Sequence, residues 1–429
     1  MRVAVIGAGA AGISAARELT SHGLDVRVFE ARDRIGGRAW TDTTLVNHPV
    51  ELGAEFVHGE RVPTWDWLRE FDAGTTGAAH AYTSYFQLGG SLADRATARS
   101  TFGCEPMTAT YRLARRWRAQ DRGAASIEQT FELWPLISDQ PLTDEIRRFL
   151  SNYIAELVAS DSNEVGIPGP APAPAGYQPE TLTNFRILAG YSALMAQAAA
   201  GLEIQLGAAI TRVRREDSSV ELTLANGQTE RFDAAIVTLP LGVLADGVVE
   251  FNPPLSTEKR DAIRRINRGH ISKVVLVFDQ VLWPEDLCFL WSTERTQLWW
   301  RPGQGQANEA PVLTAFFGGS AAGALEGAPE EEAVALATDE LGNILGQSLT
   351  KHRLRGCYIA WGAEPHTRMG YSSLPPGGEG LRELLAAPEG LLFFAGEATS
   401  VHSAATVHGA IESGRRAARE LLSARSEGS

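Results

Sequence analysis

The chain has 429 residues, 44% of them hydrophobic and 21% charged, which predicts a folded protein longer than one hydrophobic core usually sustains. Its net charge of −13 argues against general nucleic-acid binding and is compatible with a cationic substrate, although it could equally serve solubility alone. Three widely spaced cysteines show no disulfide or metal-binding pattern, and no apolar stretch is long enough to cross a membrane. The first residues lack the layout of a signal peptide, so we expect a cytoplasmic protein without membrane or nucleic-acid partners.

The first thirty residues carry a dinucleotide-binding pattern. The predicted elements are a buried strand at 3–6, a glycine-rich turn at 7–12, a helix at 13–21 and a second strand at 25–29. Gly7 permits the tight turn, Gly9 lets the backbone approach a pyrophosphate, and Gly12 lets the helix pack on the sheet. Glu30 ends the second strand about 20 residues beyond the glycines, where a carboxylate can accept hydrogen bonds from a ribose.

A second glycine pair follows at once. Gly36 and Gly37 are flanked by Arg32, Arg34 and Arg38, and arginine is a rigid, always-charged fork for phosphate. One dinucleotide fingerprint needs one phosphate-binding turn, so a second turn favours a long ligand whose diphosphate is held from two sides. This favours a flavin dinucleotide over an exchanging nicotinamide.

Two motifs now carry a family resemblance. The run VIGAGAAGISAARELTSHGLDVRVFEARDRIGGRAW, followed by ELGAEFVHG, resembles the opening of the flavin-dependent amine oxidases, which include monoamine oxidases, polyamine oxidases and lysine-specific histone demethylases. The resemblance implies FAD, with Glu30 at the adenosine ribose. The residues expected to contact FAD in this region are Gly7, Gly9, Ala11, Gly12, Glu30, Arg32, Gly37, Arg38, Gly53, Ala54, Glu55 and Phe56. His58 lies where several polyamine oxidases carry a histidine near the flavin, although a lone histidine is more often an ordinary polar group.

The middle of the chain changes character. Residues 60–185 are expected to form an inserted helical part, with helices at 108–121 and 143–158, and 166–176 is a Pro/Ala/Gly connector that cannot form a core. The elements predicted next are a helix at 193–200, strands at 204–206, 210–214, 220–224 and 230–232, a turn at 226–227, and a buried strand at 234–240. The resemblance implies that the backbone of Val213 meets the adenine.

A single cation lies in the apolar strand predicted at 271–278. A lysine in such a strand usually reaches solvent. The run SKVVLVFDQVLW, however, resembles the family strand that places a lysine beside flavin N5, which implies a catalytic role for Lys273. Trp291, Trp299 and Trp300 follow, and they line a substrate tunnel or belong to the core. A strand at 308–319 and a helix at 330–345 complete this region.

The resemblance resumes at WGAEPHTRMGYS, residues 361–372, where it implies that Trp361 packs near the flavin and Tyr371 forms one wall of an aromatic cage for the amine. Monoamine oxidases carry a flavin-linking cysteine just before that tyrosine. Here the residue is Gly370, so we expect noncovalent FAD.

The C-terminal motifs FAGEAT and TVHGA close the cofactor site, with a strand and turn at 391–399 and a helix at 412–422 that 405–411 opens. Further FAD contacts are expected from Gly396, Glu397, Thr406, Val407 and Ala410. Residues 403–406 (SAAT) stand where relatives often have a second cage aromatic, which weakens assignment to monoamines.

Together these patterns predict an α/β protein with a discontinuous Rossmann-like FAD-binding domain and an α+β substrate domain built from a mixed sheet and helices. The FAD-binding segments would be 1–60, 185–265 and 385–429, and the substrate segments 61–184 and 266–384. The expected reaction oxidises an amine to an imine and reduces dioxygen to hydrogen peroxide, with Lys273, Tyr371 and His58 at the catalytic centre. A polyamine-like substrate is favoured by His58, by the negative charge and by the missing second cage aromatic.

Other functions stay open. A monoamine oxidase is one, and an L-amino-acid oxidase is another, which would need an arginine such as Arg186 or Arg99 to hold a carboxylate. A desaturase or protoporphyrinogen-type oxidase shares the N-terminal fingerprint, but Lys273 and the Tyr371 segment argue against it. A flavin-binding scaffold without turnover is the alternative outside enzymes.

Overall fold

A computed structural model describes residues 1–77, 84–167, 184–306 and 308–427. Its strands, in chain order, are β1 (Arg2–Ile6), β2 (Asp25–Phe29), β3 (Thr41–Asp42), β4 (Val50–Glu51), β5 (Val57–His58), β6 (Thr75–Gly77), β7 (Ser84–Leu88), β8 (Ser91–Ala93), β9 (Asn184–Ile187), β10 (Glu203–Gln205), β11 (Ile210–Arg215), β12 (Val220–Leu224), β13 (Thr229–Phe232), β14 (Ala234–Val237), β15 (Glu250–Asn252), β16 (Asn267–Arg268), β17 (Ile271–Phe278), β18 (Phe289–Trp291), β19 (Leu298–Trp300), β20 (Val312–Gly318), β21 (Arg353–Ala360), β22 (Ser372–Ser373) and β23 (Leu392–Phe394).

The α-helices are α1 (Ala10–Ser21), α2 (Thr64–Glu70), α3 (Arg95–Phe102), α4 (Pro106–Ala119), α5 (Asp144–Val158), α6 (Gly190–Ala199), α7 (Leu241–Ala245), α8 (Thr257–Arg265), α9 (Gly319–Gly323), α10 (Glu330–Leu345), α11 (Leu381–Ala386) and α12 (Val407–Glu427). Short 3-10 segments lie at Glu128–Leu136 and Glu397–Thr399. Among the described helices, none combines the length and apolar character needed to cross a bilayer.

The first sheet has five parallel strands in the order β10-β2-β1-β14-β23. Strand β1 is buried from Val3 to Ile6, as expected for a parallel strand with helices on both faces. Helices α1 and α12 cross closely, since a Cβ built at Gly414 would lie 2.2 Å from the Ala11 carbonyl oxygen. In open parallel sheets, ligand sites lie where the carboxyl ends of the strands meet. Here β1, β2, β14 and β23 lead directly into Gly7, Glu30, Thr238 and Ala395.

A second sheet, β13-β12-β11-β15, lies beside the first. Val213, in the middle of β11, is fully buried, and it shares one hydrophobic cluster with Phe29, the residue before Glu30. The ring of Phe29 meets that of Phe232 edge-on at 5.7 Å. The strand predicted to meet the adenine therefore lies close to the residue predicted to hold the ribose.

The third large sheet is mixed, in the order β21-β17-β20-β19-β18-β7-β8, with β18 parallel to β7 and its other neighbours antiparallel. All eight residues of β17 are buried, because both faces of this strand are covered. Val274 and Leu276 pack in a core with helix α10, whereas Ile271 and Val275 face a second core that includes α4 and α5. Since side chains alternate along a strand, Lys273 points to the same face as Ile271.

The fold class is confirmed: a parallel nucleotide-type sheet is combined with a mixed sheet and helices. All five parallel strands come from the segments assigned to FAD binding, while the domain boundaries themselves stay a prediction. Strands β2, β12 and β17 and helix α10 have the predicted bounds. The helical prediction for 60–185 was incomplete, because β7 and β8 extend the mixed sheet from within it.

Several helices and strands begin or end at other residues than the sequence predicted. Helix α1 starts at Ala10 rather than 13, because the Gly9 carbonyl already accepts from the amide of Ile13. Helix α6 begins at Gly190, strand β14 ends at Val237, and α12 extends beyond 412–422 at both ends. Of the connector 166–176, residues 166 and 167 are described, and the rest lies outside the described residues.

Candidate active site

The two turns after β1 and β2 show why their glycines are needed. Gly7 has φ +109°, and a Cβ there would lie 2.6 Å from Thr238 Oγ1. A Cβ at Gly12 would lie 1.9 Å from the Gly7 carbonyl oxygen, so helix α1 can approach the turn this closely only with glycine. Thr238 also donates to the Ile6 carbonyl at 2.8 Å, which ties β14 to the turn. Sequence reasoning missed Thr238, although its place just after a buried strand was a usable signal.

Glu30 is buried at this edge, and its carboxylate is already oriented by the backbone. The amide of Ala8 donates to Oε2 at 2.8 Å, and the amide of Arg32 donates to Oε1 at 2.9 Å. A carboxylate has about four acceptor positions, so two remain for a ligand diol.

The second glycine turn lies against the first. Gly9 and Gly36 form a parallel bridge, and a Cβ at Gly37 would lie 3.3 Å from Gly9 Cα. Arg34 donates to the carbonyls of Ile35 and Gly37 at 3.2 and 3.0 Å, and burial lowers the pKa of its guanidinium to about 10. The Arg34 side chain therefore stabilises the turn by hydrogen bonds to the turn's own backbone carbonyls.

Arg32 and Arg38 connect these turns to the C-terminal half of the chain. Arg32 donates to Thr367 Oγ1 at 2.5 Å and forms an ion pair with Glu364 at 3.2 Å. Arg38 donates to the Gly370 carbonyl and forms an ion pair with Glu397 Oε1 at 3.1 Å. Both arginines thus lie at the edge where phosphates were predicted.

Glu397 is a buried junction. Its Oε2 accepts from Ser372 Oγ at 2.8 Å and from the Ala405 amide at 2.9 Å. Burial opposes its ionisation, but Arg38 and Arg382 together with these hydrogen bonds outweigh burial, so the pKa of Glu397 is lowered. A cavity beside Glu397 is bordered by Arg38 and by residues that follow β14 and β23, namely Thr238, Pro240, Gly396, Glu397 and Thr399.

The start of α12 faces the same region. Thr406 caps the helix, since its Oγ1 accepts from the Gly409 amide at 2.9 Å and its carbonyl accepts from the Ala410 amide at 3.1 Å. Val407 is the first helical residue. Thr406, the last of the four residues at 403–406 that stand where relatives often have a second cage aromatic, is therefore a helix cap.

Lys273 does not reach solvent. It is 4% exposed, and its Nζ donates to the carbonyls of Gly53 at 2.7 Å and Glu51 at 3.1 Å. Glu55 Oε2 lies 3.5 Å from Nζ, and the Trp300 ring centroid lies 4.9 Å away. Burial lowers the pKa of Lys273, and the neighbouring carboxylates of Glu55 and Glu51 oppose that effect.

The segment that holds Lys273 fits tightly against Trp361. A Cβ at Gly53 would lie 1.9 Å from the Arg38 carbonyl oxygen and 3.1 Å from Trp361 Cζ2, so only glycine fits. Trp361 Nε1 donates to the Leu52 carbonyl at 3.0 Å, and the Ala54 amide donates to the Arg38 carbonyl at 3.0 Å. Lys273 and Trp361 therefore both donate to carbonyls of the segment that includes Leu52 and Gly53.

Glu55 joins two further buried side chains that lie far away in sequence. Its Oε1 accepts from Arg186 Nε at 2.8 Å, and its Oε2 accepts from Trp300 Nε1 at 2.7 Å. Arg186 is 4% exposed and stacks over the Phe56 ring at 4.8 Å. These partners are contributed by β9 and β19, and no motif in the sequence joined them to Glu55.

Glu51 is buried beside this group. Its carboxylate accepts from the Tyr191 amide at 2.7 Å and from Thr41 Oγ1 at 2.9 Å. Burial nevertheless raises the pKa of Glu51 to about 7. A small cavity is bordered by both Glu51 and Glu55 together with Arg186.

His58 and an aromatic cluster lie next to Phe56. His58 Nδ1 lies 2.9 Å from Asn184 Oδ1; because an amide oxygen only accepts, Nδ1 carries the proton and Nε2 is left as an acceptor. Burial lowers the pKa of His58, and burial with a smaller effect from His58 lowers the pKa of His408 to about 4. Rings within 6.1 Å of Phe56 belong to His58, Phe289 and Trp300.

The structure distinguishes the tryptophans and arginines near Lys273 from those in the core or on the surface. Trp300 contacts the Lys273 ammonium, whereas Trp299 is fully buried in the core on the opposite sheet face. Trp291 packs against Tyr153 at 5.2 Å as a core residue. Arg99 is exposed and ion-paired with Glu105 on the surface, so Arg186 is the arginine that lies near Lys273.

Tyr371 lies at the end of the mixed sheet, and its hydroxyl donates to the Glu156 carbonyl at 2.6 Å. A Cβ at Gly370 would lie 2.6 Å from Ile271 Cγ1, so a cysteine there would have to displace β17 or the loop. Helix α5 packs on the same face, because a Cβ at Gly318 would lie 2.1 Å from the Ala155 carbonyl oxygen. Gly318 pairs with Ile271.

These contacts fit a dinucleotide flavin. Gly12 lets helix α1 close on the turn, Gly7, Gly9 and Gly37 leave partly exposed backbone without side chains where a pyrophosphate was predicted, and Glu30 keeps free acceptor positions at the ribose end. Lys273 and the segment 53–56 lie together at the other end, beside Trp361. No group of three or more potential metal ligands is gathered in the described part of the chain.

Comparison with known proteins agrees with this geometry. The family model "Flavin containing amine oxidoreductase" matches residues 10–121 and 124–422. Polyamine oxidase 3 of Oryza sativa subsp. japonica is 29% identical over 97% of this chain and 88% of its own length. Human lysine-specific histone demethylase 2 is 26% identical over 98% of this chain and 53% of its own length.

Among solved structures, a redesigned putrescine oxidase superposes with a TM-score of 0.81 at 22% identity and covers 99% of both chains. Cyclohexylamine oxidase from Brevibacterium oxydans gives 0.81 at 19% identity, also over 99% of both chains. The family match covers nearly the whole chain. The protein therefore belongs to the flavin-containing amine oxidoreductases, and its cofactor is FAD.

Proposed function

We propose that the enzyme oxidises a polyamine-like substrate at a C–H bond next to nitrogen, with dioxygen as the final acceptor. The balanced reaction converts R–CH2–NH–R′ and O2 into the imine and H2O2, and water then hydrolyses the imine to an aldehyde and an amine. FAD, when bound, supplies the two-electron acceptor for this chemistry. The relatives named polyamine oxidase and the putrescine oxidase fold support the substrate class.

The residues proposed to hold FAD lie at the strand ends described above. Glu30 would bind the ribose and the paired glycine turns the diphosphate, with Arg32, Arg38 and Glu397 around it. Val213 would meet the adenine, and 53–56 with Trp361 the ring system. Because Gly370 offers no sulfur, we propose that FAD is held noncovalently, and acid precipitation should release all of the flavin into the supernatant.

The residues of the site would contribute to the reaction by keeping the reacting nitrogen of the substrate unprotonated. An alkylamine has a pKa near 10.4, and a desolvated site next to a cation disfavours its charged form. The buried Lys273 ammonium and the aromatic rings around Phe56 provide that environment. Because burial keeps His58 neutral and Asn184 occupies Nδ1, His58 Nε2 can accept a hydrogen bond from the N–H of a neutral amine.

One observation carries the preference for a substrate with a second positive charge. Glu156 Oε2 is buried without a hydrogen-bond partner among the described residues, and burial raises the pKa of Glu156 to about 8. The residue follows Ala155 on the helix that covers the Lys273 face of the sheet, next to Tyr371. A distal ammonium group would give this carboxylate the partner that it lacks, and a monoamine would not.

A panel assay tests the proposal. Peroxide release should be detected with putrescine, spermidine or spermine and be much weaker with butylamine and with amino acids. Glu156→Gln should raise KM for the best polyamine by about 10-fold or more, because one charged hydrogen bond is lost, and leave butylamine unchanged. The matched control is Glu132→Gln, whose carboxylate forms a surface ion pair with Arg122. Activity on amino acids alone would refute the polyamine assignment.

The L-amino-acid oxidase alternative keeps one supporting observation. Arg186 Nη1 and Nη2 are buried without partners among the described residues, as a carboxylate clamp would require. The cavity that Arg186 borders is, however, also lined by Glu51 and Glu55, whose charge opposes a carboxylate. The amino-acid arm of the same panel decides between the two substrates.

A further inference from the structure

The buried charges around Lys273 are unequal. Two cations, Lys273 and Arg186, share a single carboxylate, that of Glu55, which lies between them. All three side chains are at least nine-tenths buried. A buried cation without a nearby anion is strongly disfavoured, so the state of Lys273 depends on where this carboxylate points.

Each oxygen of Glu55 is fixed by a separate donor. Arg186 Nε holds Oε1 at 2.8 Å, and Trp300 Nε1 holds Oε2 at 2.7 Å, while Lys273 Nζ lies 3.5 Å from Oε2. The shorter contacts orient the carboxylate, and the longer contact lets its charge act on the ammonium without pulling Nζ away from Gly53 and Glu51.

We propose that Glu55 is a positioning residue for Lys273: its carboxylate, locked by Arg186 and Trp300, keeps the Lys273 ammonium charged and directed onto the carbonyls of Gly53 and Glu51. The catalytic consequence rests on the proposed function, but the charge state of Lys273 does not. The described groups that face Lys273 are Glu55, Glu51, Arg186 and the Trp300 ring.

The physical argument is the balance between burial and charge. Burial lowers the pKa of Lys273, and Glu55 is the strongest of the groups that raise it again. Glu51 carries only part of a charge near neutral pH, because burial raises its pKa to about 7. Without the Glu55 charge, two cations would face each other in a buried site, and Lys273 would release its proton at a lower pH.

The chain offers an unusually direct measurement, because it contains three lysines: Lys259, Lys273 and Lys351. Holoenzyme labelled with 13C at lysine Cε should give three resolvable signals, whose chemical shifts follow the protonation of each Nζ. Lys351→Arg and Lys273→Met remove one signal each and assign all three. The titration requires no substrate and no turnover.

Glu55→Gln keeps the shape of the side chain and removes its charge. We expect the Lys273 titration midpoint to move to lower pH by at least about one unit, since an opposite charge within 4–6 Å contributes a shift of that size. Glu55→Asp should restore most of the wild-type midpoint. Trp300→Phe, which frees Oε2, should give an intermediate value. Glu309→Gln, which breaks another Glu–Arg pair in the same half of the molecule, should leave the midpoint unchanged.

If the proposed function also holds, the Glu55→Gln variant should lose oxygen turnover at lower pH than wild type while the anaerobic reduction by amine keeps its KM. An unchanged Lys273 midpoint in Glu55→Gln, with the flavin spectrum and melting temperature of wild type, would overturn the proposal. A shifted midpoint in a protein without amine oxidation would instead retain it and remove the proposed function.

Discussion

Replacing Lys273 by methionine removes the ammonium and keeps the length of the chain. Two hydrogen bonds from a charged donor are lost, to the Gly53 and Glu51 carbonyls, each contributing about 1.5–3 kcal/mol. Against this, the ammonium no longer has to be held out of water, which costs several kcal/mol in folded proteins. Glu55 keeps Arg186 and Trp300 as partners, so no charge is left unpaired.

These terms nearly cancel, and we expect the free energy of unfolding of Lys273→Met to change by no more than about 2 kcal/mol. The variant should fold and bind FAD. Its catalysis should suffer more, because a preorganised cation next to developing negative charge is worth about 100- to 1,000-fold in rate.

Stopped-flow absorbance separates the two halves of the reaction. Flavin bleaching by amine without oxygen and flavin recovery on mixing with oxygen should be recorded for wild type, Lys273→Met and Lys351→Met, the last being an exposed control. Lys273→Met should show the large loss in one or both phases. Wild-type rates in both phases, with full flavin content, would remove Lys273 from the mechanism.

Two predictions concern stability. Burial raises the pKa of Glu51 to about 7, so the folded state binds more protons than the unfolded state between about pH 4.5 and 7. The free energy of unfolding should therefore fall by up to about 3 kcal/mol as pH rises through that range. Glu51→Gln should flatten this part of a series of urea-unfolding curves recorded at different pH values, and an unaltered slope would count against the assignment. Lys259 Nζ donates to the carbonyls of Leu384, Leu385 and Ala387 at the end of α11, so Lys259→Met should lower the free energy of unfolding by about 2–4 kcal/mol in the same assay, and a loss no larger than that of Lys351→Met would contradict it.

The proposed FAD-binding edge of the parallel sheet was predictable, because its residues lie close together in the sequence. Gly7, Gly12 and Glu30 belong to one strand–turn–helix–strand unit, and each acts through backbone within that unit or the strand beside it. Strand β17 was also predictable, because its mostly apolar run of eight residues has the length of a buried strand and is short for a buried helix.

The charge network around Lys273 could not be predicted in this way. Glu55 is 131 residues from Arg186 and 245 from Trp300, and nothing in a local pattern says which distant strands will carry its partners. Glu156 was missed for the same reason, since on its own helix it is one acidic residue among several. The partners of Glu55 and the surroundings of Glu156 are determined by the tertiary fold, so no local sequence pattern predicts them.

The position of Glu156 also argues for how a substrate would be oriented. Gly318 of β20 pairs with Ile271 of β17. Ile271 lies two residues before Lys273, so both side chains point to the same face of the sheet, and helix α5 packs on that face. If the proposed function holds, a diamine bound on this face would have a carboxyl group on the helix at one end and a buried ammonium on the strand at the other. Its charged end would be attracted to Glu156, and the Lys273 ammonium would disfavour the protonated form of its other nitrogen. We therefore expect Glu156→Gln to lower the preference for diamines over butylamine, and Glu55→Gln to leave that preference unchanged, because Lys273 acts on the reacting nitrogen that both substrates share. A Glu55→Gln variant that loses the preference for diamines would contradict this division of roles.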